Sequence, residues 1–514
     1  MPSVPREPGF ARLVKTSWGR LAVPSLGDFF FAAVILWLFF SGMGWDELLS
    51  DADTGWHIRT GQYIIARHSV PTTDLFSFSK PHDAWFAWEW LTDVLYAALF
   101  DWTGLKGIVL LSGLIISAIF SILLRHLLWR GVNLFIAIGL SLICTSAAAV
   151  HFHARPHLFT LLFLVTTLWM VDKDRRSHTR AVWLLIPLMV LWTNVHGGFL
   201  VMIAVLGLLT AGTAVEVWLF ERWRIKDVWR YGGLTLACAL VTVINPYGLG
   251  LHRHLLEYLR SDWIRNMVME FHSPDFHSES MLYVEILLFL GILSLPALVR
   301  RRKVVEVLWV GYFAHQALAS ARHIPLFVLI AAPIIGVELN TWWNMWVSRQ
   351  PRKSTVTTFD QISVEMSPGF RWTSGWLLVL VLVLFLSGSV TWPQDFPERW
   401  FPVKVAASHA AEIRASRVLA PDQWGDYLIF KGYPEQKVFI DGRSDFYGPD
   451  LGKEYLDMVQ GRYDWRALMN KYHFDLVLAP VDWPLVSLLK NQADWGVVED
   501  DGKAVLMRKL GSTP

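Results

Sequence analysis

The sequence is poor in cysteine and lacks the short motifs of most soluble enzyme classes. Its two cysteines, Cys144 and Cys238, lie inside long apolar runs, so no disulfide framework supports an exported part. The chain contains no Gly-x-x-x-x-Gly-Lys phosphate loop, no Gly-x-Ser-x-Gly nucleophile elbow, no paired-cysteine metal motif and no internal repeat. Nothing in it therefore indicates a nucleotide-phosphate site.

Charge is also scarce. Charged residues make up 18% of the 514 residues, hydrophobic residues 54%, and the mean hydropathy is +0.37. The apolar runs exceed what a soluble core needs, so we predict a polytopic α-helical membrane protein. The formal net charge of +2 does not indicate a nucleic-acid partner, because the basic residues stand in short clusters between apolar runs.

We predict about eleven transmembrane helices from the length and apolar character of these runs. They lie near residues 28–45, 104–124, 132–150, 157–171, 181–195, 199–220, 231–245, 281–299, 304–320, 325–341 and 373–392. No small-residue cleavage pattern follows the basic N-terminus, which favours a retained first helix over a removed signal peptide. The membrane domain is thus expected over residues 1–392.

Basic clusters in alternate loops give an orientation. They are Arg125 and Arg130; Lys173, Arg175 and Arg176; Arg222, Arg224, Lys226 and Arg230; Arg300 to Lys303; and Arg349, Arg352 and Lys353. Under the positive-inside rule these loops and the N-terminus are cytoplasmic, and an odd number of spans places the last 120 or so residues on the other side.

The loops predicted to face outward carry a different set of ionisable residues. They hold Asp51, Asp53, His57 and Arg59; His151, His153, Arg155 and His157; His196; Glu270 and His272; and Arg322 with His323. Such residues, gathered where apolar helices emerge, favour one external polar cavity built from several loops. Each histidine taken alone is also typical of an interfacial hydrogen bond, and both interpretations stay open.

The first outward loop, residues 46–103, is expected to contain two interfacial helices. Asp53 or Thr54 can cap the first, and Pro71-Thr-Thr-Asp74 ends it. One face of that helix, suited to the headgroup layer, carries Trp56, Thr60, Tyr63 and Ile64.

The second helix of this loop is predicted over residues 85–100. It places Glu89 and Asp93 four residues apart on one face. The pair suits either a binding site or a solvated helix face.

The outward loop over residues 246–280 is the second large external element. A helix is expected around His252 to Glu257, with a break at Ser261-Asp262-Trp263. The segment either covers the external cavity or forms an interfacial helix with solvated charges.

Residues 393–514 change to the composition of a soluble domain after prolines 393, 397 and 402. Strands are predicted at 417–420, 437–440, 475–478, 495–498 and 504–507, and helices at 424–430, 451–459, 465–472 and 484–490. This alternation, with a hairpin through Asp500-Asp-Gly502, indicates a small α/β domain. Asp441-Gly-Arg443-Ser-Asp445 after a strand suits either ligand contacts or a turn with a local ion pair.

Four motifs in the N-terminal half carry a resemblance to a known family. They are Asp51-x-Asp53, Trp56-His57-x-Arg59, Pro71-Thr-Thr-Asp74 and Trp88-Glu89-Trp90. In this order in a long first external loop they resemble bacterial membrane glycosyltransferases of the GT-C superfamily, which includes the oligosaccharyltransferase catalytic subunit, protein O-mannosyltransferases and lipid A aminoarabinose transferase. Later segments such as Arg155-Pro-His157 and Arg322-His323-Ile-Pro325 look like those of bacterial relatives with this architecture.

The resemblance implies transfer of a sugar from a polyprenyl-phosphate carrier to a glycan, lipid or protein acceptor at the periplasmic face of a bacterial inner membrane. Asp51, and after it Asp53, would be the carboxylate that removes the acceptor's proton. Cationic and donor groups would stabilise the departing lipid phosphate. The implied substrate-binding residues are His57, Arg59, Glu89, Arg155, His157, His196, Glu270, Arg322 and His323. A nucleotide-sugar donor is not indicated, and membrane lipids are expected partners.

The metal requirement stays open. Members of the superfamily divide into metal-dependent and metal-independent groups, and the carboxylates of Asp51 and Asp53 can supply oxygen ligands to Mg²⁺ or Mn²⁺. His151, His153 and His157 have no complete zinc spacing. Asp51 and Asp53 can also act as caps of the loop and the helix, and the two roles can coexist.

Two alternatives share these features. In a transporter or flippase for a lipid-linked or anionic substrate, the same aspartates would bind a cation or the substrate. Transporters usually place such charges near the bilayer midplane on broken helices, whereas here they collect at one surface. A polysaccharide polymerase or ligase would use the same lipid-linked donor.

The charge pattern makes a testable prediction about orientation. Because the basic clusters alternate along the chain, alkaline phosphatase fused after Pro514 should be active in the periplasm of a bacterial host. Phosphatase activity of intact cells measures this. A well-expressed but inactive fusion would overturn the orientation.

Overall fold

The computed structural model describes residues 17–41, 44–370, 372–388 and 390–511. Its α-helices are α1 (Ser17–Ala22), α2 (Leu26–Phe40), α3 (Asp53–Arg67), α4 (Trp90–Thr103), α5 (Leu105–Trp129), α6 (Leu134–Ala148), α7 (His157–Ser177), α8 (Leu185–Val195), α9 (Leu200–Phe220), α10 (Ile225–Val241), α11 (Leu249–Arg260), α12 (Asp262–Met267), α13 (Leu282–Arg300), α14 (Val304–Ala319), α15 (Ile324–Val347), α16 (Thr355–Met366), α17 (Trp376–Leu386), α18 (Val403–Ser408), α19 (Ala410–Ala415), α20 (Asp422–Gly432), α21 (Ser444–Val459), α22 (Trp465–Tyr472) and α23 (Pro484–Leu489). Short 3₁₀ helices span Gly44–Leu49, Ala149–His151, Arg180–Leu184, Gly197–Phe199, Met269–Phe271, Glu279–Met281, Ala321–His323 and Ser367–Phe370.

The chain is a mostly helical membrane protein. Among the described residues, six helices are long and apolar enough to cross a bilayer. They are Trp18–Phe40, Leu105–Trp129, Leu134–His151, Gly197–Phe220, Glu279–Arg300 and Ala321–Val347. Shorter apolar helices cover Arg180–Val195, Val304–Ala319 and Trp376–Leu386.

Each of the eleven predicted spans coincides with a helix, but the count of eleven crossings stays a prediction. The helix Trp376–Leu386 has 11 residues, which at 1.5 Å per residue is about 16 Å long, roughly half the hydrocarbon core. α7 carries five consecutive charged residues, from Asp172 to Arg176, in its last turns. The short length of α17 and the charged last turns of α7 therefore distinguish these two helices from the six that are long and apolar enough to cross a bilayer.

The first loop folds into α3 and α4, packed against each other. The sequence placed α3 in the headgroup layer, whereas the structure buries it between α4 and α20 of the C-terminal region. It begins at Asp53 without a side-chain N-cap, and the Asp51 Oδ1 accepts a hydrogen bond of 2.9 Å from the Asp53 backbone N–H. The capping role considered for Asp51 is therefore present, whereas the prediction that Asp53 or Thr54 caps the helix is wrong, because the N-cap position is Ala52.

Helix α4 begins at Trp90 and not at residue 85. The residues before it are extended, because Ala84 bridges to Thr73 and the Trp85 backbone N–H donates to the Thr72 carbonyl at 3.0 Å. The interpretation of Glu89 and Asp93 as a solvated face is wrong, since Glu89 is 8% exposed and Asp93 is fully buried.

The C-terminal region contains a four-stranded sheet of β1 (Val418–Leu419), β2 (Leu476–Pro480), β3 (Trp495–Asp500) and β4 (Ala504–Lys509). The strand order is β1-β2-β4-β3, with β1 parallel to β2 and the other pairs antiparallel. The predicted strand at 437–440 lies outside this sheet and pairs with the first loop. The Phe78 N–H donates to the Val438 carbonyl at 2.9 Å, and the Val438 N–H donates to the Phe76 carbonyl at 3.0 Å.

The crossing of α3 and α4 depends on a glycine. A Cβ on Gly61 would lie 1.9 Å from the Asp93 carbonyl oxygen, so only glycine lets the two backbones approach this closely. The approach brings His57 on α3 against Asp93 on α4. The local geometry of the site thus rests on this contact.

We therefore expect Gly61→Ala to destabilise the protein by about 1–3 kcal/mol or more, because the added methyl group must force the helices apart. A lower apparent melting temperature in detergent would show it. Gly233→Ala in α10 is the matched control, since a Cβ there meets nothing within 4 Å and alanine favours the helix. Equal melting of the Gly61 variant and the wild type would contradict the close crossing.

Candidate active site

A cavity of about 750 Å³ lies where α7, α9, α14 and α15 meet the first loop and the C-terminal region. Its walls come from distant parts of the chain. Polar lining residues include Asp51, Asp53, Glu89, His151, Arg155, His157, His196, Glu270, Arg322, His323, Asp422 and Asp445. The predicted outward loops thus surround one space.

Arg155 joins three carboxylates at the centre of the polar wall. Its Nη1 lies 2.6 Å from the Asp51 Oδ2 and 3.1 Å from the Glu270 Oε1, and its Nη2 lies 2.7 Å from the Asp53 Oδ2. One guanidinium therefore holds the first loop, the start of α7 and the loop before α13 together.

Asp53 faces a second carboxyl group from the C-terminal region. A Cβ on Gly442 would lie 2.2 Å from the Asp53 Oδ1 and 2.7 Å from the Asp426 Oδ2, so this glycine leaves room for both groups. Burial raises the pKa of Asp53 to about 7, although Arg155 acts to lower it. Burial and the nearby Asp53 raise the pKa of Asp426 well above its ordinary value. The two carboxyl groups therefore do not both ionise at neutral pH.

Glu89 lies beside two histidines. Burial raises its pKa to about 8, with Arg155 opposing the rise, so the carboxyl is largely protonated at neutral pH. Behind it, the His57 Nε2 lies 3.7 Å from the Glu89 Oε2, and the His57 Nδ1 forms a 2.6 Å hydrogen bond with the Asp93 Oδ1. Burial lowers the pKa of His57, which favours the neutral imidazole.

The proton position on His196 follows from its partners. The Gly198 backbone N–H donates to the His196 Nδ1 at 3.0 Å, so the neutral ring carries its proton on Nε2. That atom lies 3.4 Å from the Glu89 Oε1. His196 thus presents a donor toward Glu89 and the cavity.

Arg322 supplies a second cation across the cavity. Its Nη1 donates to the Tyr258 hydroxyl at 3.0 Å, and its guanidinium lies 4.5 Å from the centre of the Phe271 ring. In the part of the chain that the structure describes, it makes no hydrogen bond to a carboxylate. Burial acts to raise the pKa of Glu270, but Arg155 and Arg322 together hold it below its ordinary value.

Two of the predicted binding residues do not line the cavity. His57 lies behind Glu89, as described. Arg59 points away, donating from Nε to the Phe430 carbonyl at 2.9 Å and lying over the Phe430 ring. At 100° per residue, Arg59 is about 120° around α3 from Asp53, so the two cannot face the same space.

The C-terminal region contributes residues that the sequence interpretation did not assign to the site. Asp422, Gln423, Gly442, Arg443, Asp445 and Tyr447 all line the cavity. Arg443 forms the expected local pair with Asp441 at 2.6 Å, and it also pairs with Asp74 of the first loop at 2.8 Å. The Asp441-Gly-Arg443-Ser-Asp445 motif was the one indication in the sequence that this region contributes to the site. Nothing in the sequence indicated that Arg443 pairs with Asp74 of the first loop.

The donor set does not fit a divalent metal ion. The Oδ2 atoms of both Asp51 and Asp53 bind the guanidinium of Arg155, and a positive charge at 2.6–2.7 Å from these oxygens opposes a divalent cation on the same atoms. The described residues include no group of three or more histidine, cysteine or acidic side chains arranged to hold an ion.

Solved structures with this fold are known. One is the Archaeoglobus fulgidus oligosaccharyltransferase in its apo form, with a TM-score of 0.54 and 9% identity over 89% of this chain and 70% of that one. Another is AglB, an oligosaccharyltransferase of the same archaeon, in complex with an inhibitory peptide and a dolichol-phosphate, with a TM-score of 0.56 and 10% identity over 98% and 75%.

The chain is similar in fold to archaeal oligosaccharyltransferase. The resemblance to GT-C transferases predicted from the sequence is thereby confirmed as a likeness of fold. No family model and no curated protein matches the sequence.

Proposed function

We propose that this chain is an integral membrane glycosyltransferase, which transfers a sugar from a polyprenyl-phosphate-linked donor to an acceptor at the periplasmic face of a bacterial inner membrane. The observation that carries the proposal is one cavity in which three features meet: paired aspartates, an apolar wall, and Arg322, a cation that within the described residues makes no hydrogen bond to a carboxylate. The oligosaccharyltransferase-like fold supports it.

The apolar wall suits the lipid part of such a donor. Leu200, Val201 and Ala204 of α9 line the cavity together with Tyr312 and Phe313 of α14. α9 belongs to a helix long and apolar enough to cross a bilayer, and α14 is one of the shorter apolar helices. An isoprenoid chain lying along this wall would keep its phosphate at the polar end of the cavity.

Asp51 is the best placed carboxylate to act on the acceptor. Burial raises the pKa of Glu89 to about 8, so this group is largely protonated at neutral pH, and Asp53 is the more deeply buried aspartate, with its side chain 6% exposed against 13% for Asp51. Asp51 lines the cavity and keeps a 2.6 Å ion pair with Arg155. It would accept the acceptor's proton as the acceptor oxygen or nitrogen bonds to the anomeric carbon.

Arg322 is the best placed group to stabilise the leaving phosphate. As the bond from the anomeric carbon to the phosphate oxygen breaks, negative charge develops on the lipid phosphate. Arg322 is half-buried between the aromatic ring of Phe271 and the hydroxyl of Tyr258, and a charge-assisted hydrogen bond is stronger where water is partly excluded. The neighbouring His323 lines the same part of the cavity.

The far wall suits a saccharide acceptor. Trp85, Phe86, Trp88 and Trp263 line it, with the carboxylates of Asp422 and Asp445 beside them. Flat aromatic faces and nearby oxygen acceptors are complementary to the C–H faces and hydroxyl groups of a sugar ring. A glycan acceptor would also fit a polysaccharide polymerase or ligase, which uses the same type of donor.

The position of the charges favours a transferase over a transporter or flippase. Asp51 follows the first membrane helix, His196 follows α8, and Arg322 precedes α15. All three lie at helix ends around one cavity, whereas transporters bind their substrates near the midplane on interrupted helices.

Asp51→Asn should reduce transfer of labelled sugar from a lipid-linked donor by about 100-fold or more, because the amide keeps the shape but cannot take a proton. Turnover by purified, folded protein measures this. Asp262→Asn is the control, since Asp262 is exposed and, among the described residues, forms an ion pair with its neighbour Arg265 alone. If the Asp51 variant keeps its turnover, Asp51 is not the general base and another residue has that role.

Arg322→Ala should weaken binding of the lipid-linked donor by about tenfold to a hundredfold, the usual value of a hydrogen bond to a charged group. Binding of fluorescent polyprenyl phosphate measures the effect. Arg349→Ala is the control at the opposite end of α15. Equal effects of the two changes would remove Arg322 from the phosphate site.

A further inference from the structure

Arg155 occupies the position between carboxylates that a metal ion would need. Three acidic groups from two loops converge on it, with nitrogen to oxygen distances of 2.6 Å to Asp51, 2.7 Å to Asp53 and 3.1 Å to Glu270. Each aspartate turns its Oδ2 toward this guanidinium. The remaining Oδ1 atoms face elsewhere, that of Asp51 to a backbone N–H and that of Asp53 toward Gly442.

The backbone next to Arg155 is fixed to the loop that carries the aspartates. The Ala154 N–H donates to the Leu48 carbonyl at 2.7 Å, and the Thr54 hydroxyl donates to the Ala154 carbonyl at 2.8 Å. Ala154 is fully buried, and Pro156 follows Arg155 at the start of α7. The hydrogen bonds of the Ala154 N–H and carbonyl therefore fix the backbone of Arg155 beside Asp51 and Asp53.

A guanidinium can do part of what a divalent ion does at such a place. It stays charged at every physiological pH, and its planar nitrogens bind two carboxylates in fixed directions. Arg155 is 24% exposed at its side chain, so its charge acts in a partly desolvated setting. A metal ion could bind the same oxygens only after this side chain had moved out.

We infer that Arg155 is the resident cation of this site: it takes the place of a divalent metal ion among Asp51, Asp53 and Glu270 and orients the carboxylates for a metal-independent reaction. The inference rests on the proposed function for its reaction, but its structural claim stands without it. Arg155 is a positioning residue, because it acts through the carboxylates.

The test measures Mn²⁺ binding to the purified full-length chain in detergent, from the loss of the free-ion electron paramagnetic resonance signal. No donor or acceptor is present, so a failure of the proposed transfer reaction does not affect the result. We expect Arg155→Gln to bind Mn²⁺ at least about tenfold more tightly than the wild type, because removing a positive charge a few ångströms away leaves three carboxylates uncompensated. Arg155→Lys, which keeps the charge, should not gain this binding.

The carboxylates supply the matched controls. Adding Asp53→Asn to Arg155→Gln should remove the gained Mn²⁺ binding. The inference is overturned if the wild type binds one Mn²⁺ that Asp53→Asn abolishes, or if folded Arg155→Gln gains no affinity. Should Arg155→Gln fail to fold, the wild type decides alone: binding lost in Asp53→Asn overturns the inference, and no such binding upholds it.

Discussion

The contact between Arg155 and its three carboxylates is the constraint on which the site depends. A buried ion pair is a poor source of stability, because desolvation of the charges offsets most of their attraction, but removal of one partner leaves an uncompensated charge and costs about 3–5 kcal/mol. Arg155 therefore serves less to stabilise the fold than to fix where the first loop, the start of α7 and the Glu270 loop meet. The Ser320 hydroxyl donates to the Glu270 carbonyl at 2.9 Å, which brings Arg322 to the same centre.

The C-terminal region completes this centre and does not stand apart from it. Arg443 pairs with Asp74 of the first loop, and the Gly442 backbone leaves room for the carboxyl groups of Asp53 and Asp426. His254 of α11 lies 3.1 Å from Asp445 and draws the other external loop to the same wall. Because these contacts are polar and lie around the cavity, any change in how the region packs would also change the charge that Asp53 carries.

Local patterns in the sequence predicted local structure well. Apolar run length located every helix that the spans required, and alternation with turn signals located β2, β3 and β4. Hydrophobic periodicity did not predict which elements pack against each other and become buried. Helix α3 is amphipathic enough to lie at a membrane interface, yet α4 and α20 cover it. The segment 437–440 forms its backbone hydrogen bonds with the first loop and not with the four-stranded sheet. Arg59 was assigned to the site through the Trp56-His57-x-Arg59 motif and its positive charge, whereas its position around the helix directs it to Phe430.

The opposite end of the bundle shows what a purely structural cluster of charges looks like in this protein. Four buried acids there form ion pairs with bases: Asp172 with Arg130 and His126, Asp174 with Arg230, Glu306 with Arg175, and Glu338 with Arg301. None of these residues lines the cavity. At the site end, the pairing is uneven within the described residues, because Arg155 is shared by three carboxylates while Arg322 binds a hydroxyl. An arrangement that leaves one cation for an incoming anion, beside a carboxylate that can take a proton, is the charge distribution that the proposed transfer would use.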